Sequence, residues 1–284
     1  MRRPLSSRHP LLYWFRVRQR RLFKHILWLF SKHVYSVECR PEHPLPFRYT
    51  KHTSKLVRKL GESDIALQYN KIINLKIAVR KINGIIIRPG EYFSFCKLVG
   101  KPTRNQGYVE GMELSFGEAR RGIGGGICQL SNLIHWMALH SPLRVVERAN
   151  HSFDPFPDHN RVLPFGSGAA IFYNFIDLVL HNPTTDSFQI VCVVGDRQLE
   201  GLLLCDRESA VKYHVYQKSH RFVREEGYTY RENTIWRDTI TKGHHPQIIE
   251  SIHLYSNRVI VKYDVGHALL CQQDTAASTA INES

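Results

Sequence analysis

The run Gly122-Ile-Gly-Gly-Gly-Ile-Cys128-Gln-Leu-Ser-Asn132 places a cysteine behind a glycine cluster and at the head of a helical pattern. Unpaired backbone N–H groups and the positive end of the helix dipole meet at such a position, and both favour a thiolate. The glycines at 124, 125 and 126 permit close backbone approach to the sulfur. Together with Gln129 they offer N–H donors for an oxyanion. A nucleophilic cysteine also needs a base. His151 follows 23 residues later, an interval that fits a helix, a turn and a strand returning beside the helix start. Asp177 is the candidate for orienting the imidazole, with Asp154 next. The competing reading is a cysteine packed at a tight helix–strand contact and a hydrogen-bonded structural His151. His135 and His140 read as packing or helix C-terminal dipole partners. The cluster is not a phosphate loop, because it lacks the Lys-Ser/Thr ending and has Ile127 where the last glycine of GxGxxG would stand.

The elements that must position these residues are legible in outline. A wide apolar face predicts a helix over residues 69–83, stopped by Asn83-Gly84. Residues 85–88 and 91–95 read as strands about the turn Pro89-Gly90, and residues 127–140 as the helix behind Cys128. Further strands are expected over 145–147, 169–175 and 178–180, and 188–194 should pair with 199–204 about Gly195-Asp196. Past Cys205 the chain reads as short aromatic-rich strands at 213–216, 228–231, 234–237, 248–254 and 259–263. The sum is an α+β fold with helices on a mostly antiparallel sheet. Residues 1–60 form a basic helical segment and a linker (40–50), 61–205 the core domain, 206–271 a small β-rich C-terminal part, and 272–284 a polar tail.

Charge narrows the function classes. Residues 1–60 hold 15 of the chain's 39 Lys/Arg but 2 of its 25 acids, so the remainder is nearly neutral. That argues against a nucleic-acid groove across the main domain. Residues 11–31 form a helix mixing basic and aromatic residues, with Phe15, Leu22, Ile26 and Leu29 on one face. It either docks on its own domain or lies on an anionic membrane surface. Neither a signal peptide nor a membrane span is evident, since Arg16, Arg18, Arg20, Arg21 and Lys24 interrupt the early apolar run. The expected location is therefore cytoplasmic or peripheral at the inner membrane face. None of the six cysteines forms a CxxC pair, so no metal site, cofactor or disulfide framework is expected.

Pro89-Gly-Glu-Tyr-Phe-Ser-Phe95, Gly122-Ile-Gly-Gly-Gly-Ile-Cys-Gln129, Glu147-Arg148 with His151-Ser152, and Ile176-Asp177-Leu178 occur in the order found in the VanW family, which this chain resembles over roughly residues 65–205. That family is associated with vancomycin resistance, and some proteins with the domain act as cysteine-dependent peptidoglycan L,D-transpeptidases. The resemblance implies Cys128 as nucleophile, His151 as its histidine, and peptidoglycan stem peptides or lipid-linked precursors as partners. The order Cys then His is similar to papain-like enzymes. One departure stands out. Where the family often carries Gly-Arg-Asp-Ala-Thr, this chain has Gly166-Ser-Gly-Ala-Ala170, with Gly168 at the acidic position. The alternative function is a non-catalytic accessory module that binds wall precursors or a resistance-system protein at the membrane.

Overall fold

A computed structural model describes residues 10–57, 65–115, 118–150, 153–154 and 162–265. In chain order the elements are α1 (Pro10–Phe30), β1 (Phe47–Lys55), α2 (Ile65–Arg80), β2 (Ile85–Ile87), β3 (Tyr92–Ser94), α3 (Phe95–Val99), β4 (Glu110–Ser115), β5 (Glu118–Ile123), α4 (Cys128–Leu139), β6 (Arg144–Glu147), β7 (Phe153–Asp154), β8 (Val179–His181), β9 (Phe188–Val194), β10 (Gln198–Cys205), β11 (Val211–Glu225), β12 (Tyr228–Thr241) and β13 (Ile248–Val261). The fold is α+β and mostly antiparallel, as the sequence implies.

Four sheets carry it, in the orders β1-β10-β9-β2, β3-β8-β6, β4-β5 and β11-β12-β13-β7. Among the described residues every strand pair is antiparallel except β13 with β7. Helices α2 and α4 pack their apolar faces on the first two sheets. Leu75, Ile82, Phe93, Leu130, Ile134 and Phe188 lie at the centre of this core, essentially without solvent contact. Strand β9 packs against α2 and β10 against α4, so closely that Gly201 of β10 leaves no room for a side chain beside Leu133 and Met137.

Three expectations are corrected. Residues 47–50, read as linker, open β1, which pairs along its length with β10. Residues 169–175 form no strand; Ala169 and Ala170 are buried while Phe172 is exposed, and the backbone is held by the side chains of Ser131, Asn132 and Arg21 and by a bond from Ala170 N–H to Ala149 O. The C-terminal strands are not short. They are three long ribbons, with a register shift at Gln217/Ser219, and polar residues on both faces disguise their length in the sequence.

Helix α1 docks through its charged side. Lys24 pairs with Glu147 and lies 4.0 Å from the Asp177 carboxylate. Arg21 donates to the Tyr173 carbonyl at 3.1 Å, and His25 meets the Asn174 amide at 2.9 Å. No helix among the described residues is long and apolar enough to cross a membrane.

Candidate functional site

Cys128 is the first residue of α4, as its position behind the glycines predicts. The preceding turn is held from α2. The Asn74 amide donates to Val109 O (3.1 Å) and Gly125 O (2.9 Å), and its oxygen accepts from the Val109 N–H (2.9 Å). Asn70 donates to Glu110 O at 2.8 Å, tying the same helix to β4. Gly126 has φ +92°, and any side chain there would collide with the stem of the buried Lys71. Gly125 packs backbone to backbone against Gly111 of β4. The α2 residues Gln68, Lys71 and Asn74 are therefore part of the site. The periodicity that defines the helix hides them, because it counts apolar residues and these three are buried polar ones.

The opposite wall is the segment 165–171. Its backbone is satisfied largely by side chains rather than by a sheet, as buried peptide groups require, with the Ala170 N–H donating to Ala149 O at 2.9 Å. On α4, Ser131 donates to Ala169 O (2.7 Å), Asn132 accepts from the Ala169 N–H (2.6 Å), and His135 Nδ1 meets Ser167 O (2.9 Å). Burial holds His135 down to about 3, so it is neutral, and with a carbonyl partner its proton sits on Nδ1. The Arg148 guanidinium grips the carbonyls of Gly166 and Gly168 (2.8 Å to the latter). Gly168, at the family's acidic position, would put a side-chain carbon 3.0 Å from the Asn132 oxygen.

Between these walls lies a cleft of about 1360 Å³, bordered by Lys71, Glu113, Gly124, Cys128, Asp154 and Gly168 among others. Its size suits a peptide-sized ligand. Cys128 is half-buried, and its thiol lies 3.8 Å from the Ile171 carbonyl. Among the described residues, the N–H groups of Gly124, Gly125, Ile127 and Gln129 all donate within the turn or to Val109, whereas those of Gly126 and Cys128 have no backbone acceptor. The Gln129 amide is turned away, donating to Ser54 Oγ (2.8 Å) and Lys55 O (2.9 Å).

The electrostatics differ from the expectation of a ready thiolate. Burial pushes the Cys128 thiol up, backbone hydrogen bonds at Ile171 and at Cys128 itself oppose this, and the Glu113 charge adds to the rise. Desolvation outweighs the helix start here. Alkylation of Cys128 should therefore be slow near neutrality and accelerate only as pH climbs past the ordinary thiol range, with exposed Cys39 labelled ahead of it and buried Cys96 and Cys192 behind it. Mass-spectrometric mapping after brief iodoacetamide treatment at several pH values checks the order. Cys128 labelling ahead of Cys39 at neutral pH contradicts it.

Asp177 is engaged elsewhere. Its carboxylate accepts from Ser94 Oγ (2.6 Å), the Cys96 N–H (2.8 Å) and the Leu178 N–H (2.8 Å), at the start of α3. Burial raises its pKa above the usual 3.8, against the pull of Ser94, Cys96 and Lys24. A raised folded value means that stability present below pH 3.8 is lost as pH rises through that value. Asp177→Asn keeps an acceptor for both N–H groups and should remove this loss. Asp177→Ala strands buried donors and should cost about 2–3 kcal/mol. Urea unfolding of both variants across the acid range measures the difference, and equal stability of the two would contradict this role. Asp154, the second choice, pairs with buried Arg231 at 2.9 Å and accepts from Tyr263 at 3.0 Å. His151 lies outside the described residues.

Comparison with known proteins follows the same segments. The family model described as "VanW like protein" matches residues 70–204. The chain is 30% identical over 272 residues to the vancomycin B-type resistance protein VanW of Enterococcus faecalis, covering 96% of this chain and 98% of that protein. It is 35% identical over 79 residues to the uncharacterized protein YoaR of Bacillus subtilis, covering 28% and 26%. No solved structure matches significantly.

Proposed function

The chain belongs to the VanW family, and from that premise we propose that it acts in vancomycin resistance by cysteine-dependent acyl transfer on peptidoglycan stem peptides. The observation that carries the reading is the placement of Cys128. It stands at a helix start, in a peptide-sized cleft, with the Gly126 N–H left for an oxygen.

In the proposed reaction Cys128 Sγ attacks the carbonyl carbon of a stem-peptide amide. The thiol proton passes to His151, the tetrahedral oxyanion forms against the loop N–H groups, and the C–N bond breaks as the amine departs with that proton. An acceptor amine or water then attacks the thioester carbon, gives its proton to His151, and the returning proton restores the Cys128 thiol. Because burial keeps the thiol protonated near neutrality, proton transfer accompanies attack rather than preceding it. Glu113, on β4 beside the cleft, is a carboxyl whose pKa burial raises, and its charge works against a standing thiolate.

The experiment is incubation of the full chain with a synthetic stem pentapeptide, with and without an acceptor amine, followed by mass spectrometry of the peptide. A new amide or a shortened peptide is expected. Tight binding of the peptide with no conversion at any pH would favour the accessory module instead.

A further inference from the structure

Helix α1 is amphipathic in the reverse of the usual sense for a docked helix. Tyr13, Val17, Arg21, Lys24 and Trp28, at spacings of three and four, make its inward side. That side is fixed to the body by the contacts of Arg21, Lys24 and His25 with residues 147 and 173–177. The side facing away holds Leu11, Phe15, Leu22, Ile26, Leu29 and Phe30. Phe15 is 64% exposed, Leu22 62%, Leu29 78% and Phe30 81%. A soluble helix buries its apolar stripe and wets its charges; here the charges are partly buried and the stripe is wet.

The flanks of that stripe are one-signed. Around the helix, Arg18 stands on one border and Arg16 and Arg20 on the other, and the 21 residues of α1 contain no acid. An apolar stripe bordered by long basic side chains matches a bilayer interface, where aromatic and aliphatic groups enter the acyl boundary and Arg heads reach lipid phosphates. A second copy of the same helix is a poor occupant, because it would bring like charges together along both borders.

We propose that the outward face of α1 binds the surface of an anionic bilayer, with the helix axis in the plane of the interface. The inference stands apart from the catalytic reading. It has a positional consequence: Arg21 and the segment 171–173 on which α1 sits also line the Cys128 cleft, so the bilayer lies about one helix diameter, ~10 Å, from the cleft wall.

The test uses the full chain with phosphatidylcholine vesicles, alone or mixed with phosphatidylglycerol, and compares wild type with Leu22→Glu/Leu29→Glu and with Arg16→Ser/Arg18→Ser. Leu22, Leu29 and Arg18 are exposed and Arg16 is half-buried, and unchanged thermal unfolding confirms folding of the variants. Wild type should sediment with anionic vesicles and shift its tryptophan emission to the blue. The Leu22→Glu/Leu29→Glu chain should bind at least about tenfold more weakly, the scale of burying a single leucine. The arginine variant should lose its preference for phosphatidylglycerol. Undiminished binding by the Leu22→Glu/Leu29→Glu chain overturns the proposal. So does a wild-type chain that ignores vesicles but forms dimers that this variant breaks, since the stripe would then be a protein interface.

Discussion

Replacing Cys128 with alanine is expected to lower stem-peptide conversion by roughly a thousandfold or more, the usual scale for deleting a nucleophile that forms a covalent intermediate. The fold should survive the change. Cys128 is half-buried in the cleft, and its side chain is held only by weak thiol contacts, among them one 3.8 Å from Ile171 O. Alanine is also a good residue for the first turn of a helix. The loss should therefore appear in kcat/KM with unfolding unchanged, and peptide binding should persist because the cleft walls do not depend on the sulfur. Conversion by the alanine variant at a tenth or more of the wild-type rate would mean that the sulfur is not the nucleophile.

Gly125→Ala should act by the opposite route, through the scaffold. A methyl at Gly125 would lie 2.3 Å from the carbonyl carbon and oxygen of Gly111. That is far inside van der Waals contact, and the obstructing atoms are backbone of β4, which no rotamer change can move. Relief requires β4 to separate from the turn, which strains the hydrogen bonds from Asn74 to Val109 and Gly125. A destabilisation of about 3 kcal/mol is expected, the upper range for overpacking, together with loss of conversion as the turn leaves its position. Gly111→Ala meets Gly125 from the other side at 2.3 Å and should behave alike. A Gly125→Ala chain with wild-type urea midpoint would show that β4 and the glycine turn are not packed as described.

These two residues also mark what the sequence makes legible. The glycine run and the helix behind it are local features, so Cys128 at a helix start follows from spacing alone. The β9–β10 pair is equally plain, two apolar runs about Gly195-Asp196. The partner of Gly125 is not local: nothing near Gly111 signals contact with residue 125, and in the charged β4–β5 hairpin only Met112 and Leu114 alternate with polar residues. Segment 169–175 carries the aromatic and aliphatic residues of a strand. Its backbone is nevertheless claimed by Ser131, Asn132 and Arg148, and only the polar residues inside an otherwise apolar α4 hint at that. Asp177 shows the limit of motif reasoning, since an acid beside a candidate triad can be a helix anchor. The balance at Cys128 could not be read either, because spacing reports the helix dipole but not the burial that outweighs it.

The central claim is that Cys128 carries the acyl group. Intact-mass measurement of the full chain, quenched in acid during incubation with the stem pentapeptide, tests it most directly. An added mass equal to the acyl part of the peptide is expected, lost on treatment with hydroxylamine and mapped to the peptide containing Cys128. An adduct on another residue, or peptide conversion with no thioester at Cys128 in the quenched chain, would contradict it.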